Sequence, residues 1–131
     1  MSTIMTVTLT TVDGNKVLHI DDHKGGNHRG MSPHTQTFVW QLFGNLMHGQ
    51  FQPIDAAPPG FAWLVEPPPG VFGVPLINDG GRRLQLPDNH TGASTNGEWA
   101  YQIAVRLGDI VYLSERTKLG DTIKDPVIIN K

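Results

Sequence analysis

Four of the six histidines of this 131-residue chain fall between positions 19 and 34, in the stretch HIDDHKGGNHRGMSPH. Asp21 and Asp22 lie among them, so the segment holds the residue types that bind divalent transition metals or move protons. A metal site here would draw on His19, His23, His28 and His34. Geometry sets the condition. Imidazole nitrogens must converge to about 2.0–2.1 Å from a zinc ion, whereas two steps along a strand advance roughly 6.6 Å. His19 and His23 on one strand face would thus stand about 13 Å apart at the backbone. Only a sharp bend at Gly25-Gly26 would bring His28 or His34 back towards His19. Without that bend the histidines are solvated loop residues, and this is the reading taken. No cofactor is therefore expected, unless the loop folds back to hold a divalent transition metal.

Acid–base catalysis would need a histidine beside a carboxylate in a cleft. Asp21 and Asp22 are neighbours, and neighbouring strand residues point to opposite faces. The chain has no G-x-S-x-G elbow and no serine or threonine in a triad context. The expectation is a protein that is not an enzyme.

A second polar segment, LPDNHTGASTNGEW (86–99), sets amide and carboxylate groups next to an aromatic ring. Carbohydrate-binding loops use that combination, which makes Asn89, His90, Asn96 and Trp99 candidate ligand residues. Turn-forming residues in a solvated loop account for the same composition. A third segment, PPPGVFGVP (67–75), has glycines but lacks the Lys-Ser/Thr and helix of a phosphate loop. Its three prolines favour an extended polyproline II path. It reads as a rigid crossing between two sheets, with Val71 and Phe72 closing the end of the core. The sharper alternative is a recognition surface for a partner.

These segments need a scaffold, and composition suggests which. A chain of this length forms one domain, here 1–131. Hydrophobic residues (38%) and charged residues (17%) fall below globular averages, while 15 glycines and 10 prolines favour short strands and many turns. The net charge of −2 implies no basic face, so no nucleic-acid partner is expected. Cysteine is absent, which removes disulfides, thiol catalysis and thiolate zinc sites. The opening MSTIMTVTLTTV lacks the basic and apolar regions of a signal peptide. No stretch approaches the roughly 18 apolar residues of a membrane span. A cytoplasmic protein without a membrane partner is the expectation.

Strand signals are strong at both ends of the chain. Met5, Val7 and Leu9 alternate with threonines, Asp13-Gly14 marks a two-residue turn, and a return strand follows to about Asp21 with Leu18 and Ile20 inward. Residues 22–34 lose periodicity and read as a loop. Residues 35–47 fit a helix or a strand; Thr37, Val39 and the aromatics favour a strand with Phe38, Trp40 and Leu42 on one face. Further strands are expected at Phe61–Glu66, Arg83–Leu86, Glu98–Leu107, Ile110–Glu115 and the terminal DPVIINK, where Pro126 suits a strand start or an edge. Trp40, Trp63 and Trp99 each fall among apolar strand neighbours and read as core. About seven or more short strands without alternating helices predict an all-β, single antiparallel β-sandwich.

The blocks TFVWQLFGN, GFAWLVEPPPGVFGVP, GEWAYQIAV and DPVIINK, with Glu66-Pro67 and Asp125-Pro126 inside them, resemble the DP-EP family of small bacterial proteins. The resemblance implies an immunoglobulin-like sandwich and carries no catalytic residue over. The resulting expectation is a structural or protein-interaction module, self-association included, whose terminal DPVIIN is apolar enough to pair with a neighbour. The alternative is small-ligand binding: a metal ion at 19–34 or a carbohydrate at 88–96.

Overall fold

Alternating apolar residues and threonines build the first hairpin. The computed structural model describes residues 2–21, 27–30, 36–89, 95, 97–114, 117–119, 122–124 and 126–130. Strands β1 (Ser2–Val12) and β2 (Asn15–Asp21) meet at a turn where Asp13 and Gly14 both take positive φ, 50° and 80°. That geometry matches the twist of the flanking strands. Met5, Val7, Leu18 and Ile20 are buried, as the alternation requires. The chain continues through β3 (Asn27–Gly30), β4 (Gln36–Leu42), a 3-10 turn (Gly44–Leu46), β5 (Gln50–Phe51), β6 (Phe61–Trp63) and β7 (Leu76–Asn78). A second 3-10 turn (Asp79–Gly81) leads to β8 (Arg83–Asp88), β9 (Gly97–Leu107), β10 (Ile110–Leu113), β11 (Thr117–Leu119), β12 (Thr122–Lys124) and β13 (Val127–Asn130).

Two sheets form an all-β sandwich. The first has the order β2-β1-β4-β8-β7. The second is organised on β9, both of whose edges are used. Tyr101 N–H donates to Pro126 O, and Ile103 O accepts from Ser114 N–H, so β13 and β10 follow one another along one edge. Ala100 O and Ala104 O accept from Leu64 and Gln52 N–H, which sets β6 and β5 along the other. Strand β3 pairs with β13, and β11 with β12 make a separate ribbon. Among the described residues, no helix is long and apolar enough to cross a membrane.

Three expectations need correction. Pairing is mixed rather than antiparallel, because β1 with β4 and β13 with β3 run parallel. The chain leaves β2 of the first sheet, visits the second as β3, and returns as β4, which supplies the crossover that a parallel pair needs. For the same reason the 22–34 segment is not loop throughout: a non-local partner, the free edge of β13, pairs its backbone at 27–30. Strand β13 therefore has both edges occupied, by β9 and β3, and offers none to a neighbour. Pro126 does stand just before it.

Residues 36–42 form the expected strand, with Phe38, Trp40 and Leu42 fully buried. Gly44, at φ 58°, ends it. The amide of Asn45 then substitutes for a strand residue: Leu9 N–H donates to Asn45 Oδ1 (2.9 Å) and Asn45 Nδ2 donates to Leu9 O (3.0 Å).

Aromatic rings link the sheets through the core. Trp40 contacts Tyr101 (5.3 Å) and Phe61 (5.6 Å), and its Nε1–H donates to the Tyr101 hydroxyl at 3.1 Å. Burying each such ring contributes about 3 kcal/mol or more. The two sides of the sandwich then differ. On one, a parallel bridge between Leu18 and Ser114 stitches β2 to the end of β10. On the other, no described strand pairs with the outer edge of β7.

Candidate functional site

The row of aromatic rings runs from the core to the surface on the open side. Phe61 lies 5.0 Å from Trp63, Trp63 4.8 Å from Phe72, and Phe72 5.5 Å from Trp99 at 87°. Strand β6 carries Trp63, and the prolines that follow it cannot continue the ladder. Gly70, at φ 89°, turns the chain back. Val71 then plugs the core, and Phe72 caps it, as the crossing reading of this segment anticipates. Residues 71–73 attach to β8: Gly73 N–H donates to Pro87 O (2.9 Å), and Asn89 N–H donates to Val71 O (2.8 Å). Since β7 pairs with the same strand, residues 71–78 act as one edge strand interrupted at Pro75.

Between β6 and this edge lies a shallow cleft of about 150 Å³, lined by Trp63, Glu66, the three prolines and Phe72. Its walls combine aromatic rings and prolines with polar main chain, and Glu66 is its one charged group. Such a surface binds by area and ring stacking. Beside it the edge exposes Val74 (81%) and Leu76 (57%), and the segment after β6 exposes Leu64 (46%) and Val65 (53%).

His19 lies in β2 opposite Thr8, half-buried, in the first sheet; His28 lies in β3 opposite Ile128, in the second. The structure thus places these two on different sheets. His23, His34, His90 and Asn96 lie outside the described residues. Among the described residues no group of three or more metal-ligating acids or histidines converges. Asn89 and Trp99 both meet the 70–72 segment. Asn89 secures its turn, the Nδ2–H reaching Gly70 O at 3.4 Å, and Trp99 is only 7% exposed, with Phe72 against its ring. Of the rings in this row, Trp63 and Phe72 are the partly exposed ones. Their signal in the sequence was the proline run that separates them, which brings a chain back over the strand it left.

A buried polar cluster holds the two sheets together nearby. Asn130 Nδ2 donates to Asp88 Oδ1 (3.0 Å) and to Thr95 O (3.1 Å). This ties the end of β13 to the end of β8 and to the segment that follows it.

Comparison with known families found no model that matches the chain, and comparison with curated proteins found no match.

Proposed function

We propose that the chain is a non-enzymatic protein-interaction module, an immunoglobulin-like sandwich that associates with a second copy of itself through residues 71–78. The observation that carries this reading is an open edge without charge. From Val71 to Asn78 the sequence VFGVPLIN has no charged residue, and Val74 and Leu76 are the side chains it exposes. Edge strands that must stay unpaired usually carry lysines, prolines, inward charges or bulges. This one carries Pro75 and one extra residue between Phe72 and Leu76 relative to β8, but no charge, whereas β2 on the opposite side carries Lys16 and Asp21. Antiparallel pairing of two copies about a two-fold axis would continue the first sheet and cover both apolar pairs. Kinship with the DP-EP proteins belongs to the same proposal, supported by the four sequence blocks. So does a cytoplasmic setting without nucleic-acid or membrane partners, supported by the charge balance and the absence of a long apolar run.

Light scattering across concentration, up to tens of micromolar, tests the reading. The mass rises towards that of a dimer in the parent chain and stays monomeric in Val74→Lys and Leu76→Lys. A parent that is monomeric throughout overturns the proposal.

A second reading draws on Trp63 and Phe72, two partly exposed rings beside Glu66 and Asn89. This is the aromatic-plus-polar combination of a carbohydrate site, moved from the 88–96 segment to the adjoining cleft. A glycan array with Trp63→Ala as control decides it; retention of the same glycans by the variant rules it out.

A further inference from the structure

A second cleft, of about 280 Å³, has a different chemistry. Its lining comes from Met47, His48, Gly49, Gln50, Gly80 and Arg82, which are the turn after β4, the start of β5 and the 3-10 turn before β8. Arg106 stands opposite Gln50 in the β5–β9 register, and paired residues of adjacent strands share a face. The main chain closes tightly behind these groups. A Cβ on Gly49 would lie 3.2 Å from Arg106 O, and one on Gly81 would lie 2.9 Å from Gln50 Cβ. Gly81 also takes φ +92°, so glycine is needed there for both conformation and space.

We propose that this cleft binds a phosphate group, with Arg82, which lines it, as the principal ligand, His48 and Gln50 as further donors, and Arg106 joining from the β9 position opposite Gln50. The two arginines are held in a way that suits an anion. Arg82 Nε–H donates to Asp79 O (3.4 Å), and Arg106 Nε–H donates to Gly108 O (3.1 Å). Each guanidinium, exposed to solvent, is thereby held at one donor, which leaves its four terminal N–H groups open to water or to an anion. Neither has a carboxylate partner among the described residues. Arginine forks match the oxygens of phosphate in geometry and charge, and the tethering lowers the side-chain ordering that binding requires. The protein as a whole is acidic, with a net charge of −2. Two untethered-to-acid arginines beside one polar cleft are thus a local arrangement rather than a consequence of a basic surface. Arg83 is held in the same way, its Nε–H donating to Gln41 Oε1 at 2.9 Å, but it sits on β8 between Gln41 and Asn78, outside the cleft lining and away from Gln50.

Titration of the ¹⁵N-labelled protein with inorganic phosphate, followed by amide shifts at constant ionic strength, tests the site. Saturable shifts are expected at residues 47–50, 80–82 and 106. Affinity falls roughly tenfold or more in Arg82→Gln and in Arg106→Gln, the loss of one charge-assisted contact each, and is unchanged in Arg83→Gln. The rest of each variant's spectrum reports that the fold is retained. Shifts that do not saturate, that spread over the surface, or that persist unchanged in Arg82→Gln overturn the proposal. Equal affinity for acetate overturns the assignment to phosphate.

Discussion

Two clefts among the described residues of this sandwich are made from different materials. One is walled by aromatic rings and prolines and holds a single carboxylate, Glu66; the other is walled by glycine-rich turns and holds His48, Gln50 and Arg82. They also differ in what supports them. The aromatic cleft is the outer end of a ring-on-ring series that begins at Trp40 in the core. The polar cleft rests on backbone conformation, at Gly80, Gly81 and the Asp79 carbonyl that holds Arg82. A surface continuous with the core offers rigid apolar area, which suits association. One built from turns offers oriented donors, which suits a small anion. Substitutions should therefore separate the two, and their sizes should follow from the supports.

The largest effect is expected at the inner end of the ring series. Trp40→Ala removes a fully buried indole packed on Phe61 and Tyr101 and should cost about 3–5 kcal/mol, a large share of a typical 5–15 kcal/mol. Chemical denaturation followed by fluorescence measures it. Next comes Phe72→Ala, at the outer end. Phe72 is only partly buried, so the cost should be nearer 2 kcal/mol. Its diagnostic consequence is selective: Trp63 and Trp99 lose their shared neighbour, their emission shifts to the red, and self-association weakens, while phosphate binding is unmoved. Loss of both binding activities together would mean that the clefts are not independent.

How much of this was legible in the sequence follows the same division. The first hairpin and β9 could be read because each alternates with period two over seven or more residues and turns at an Asp-Gly or Gly-Asp pair. Phe38, Trp40 and Leu42 could be placed on one face for the same reason. Strand β3 could not, because what makes NHRG a strand is the backbone of β13, about a hundred residues away. Strands β5 and β7, two and three residues long, are too short to show a period. The proline crossing was legible as a device, and Val71 as its plug. Its partner ring Trp63 read as core, because exposure on the open side depends on what fails to pair with β7. The polar cleft left only a faint trace, the run GGRR at 80–83. Its meaning depends on Gln50 and Arg106, which only the β5–β9 pairing brings alongside.

Gly81→Ala sharpens the comparison from the other side. A methyl group at φ +92° and 2.9 Å from Gln50 Cβ should cost about 1–2 kcal/mol. It also pushes Gln50 out of the cleft wall. Phosphate affinity should fall while the concentration dependence of light scattering stays as in the parent. The reverse pattern would place the polar cleft, not the uncharged edge, at the association surface.

The smallest effect is expected where a side chain supports neither cleft. Asn45 completes the β1 ladder by exchanging two hydrogen bonds with the Leu9 backbone, at an exposed position. Water can replace both bonds once the amide is gone, so Asn45→Ala should cost only about 1 kcal/mol. Amide hydrogen exchange should detect it as faster exchange at Leu9, with little change elsewhere. Association and phosphate binding should match the parent. If either moved, the strain would have travelled along β1 or through Gly44 into the Met47–Gln50 turn. The polar cleft would then depend on the first sheet as well as on its own backbone.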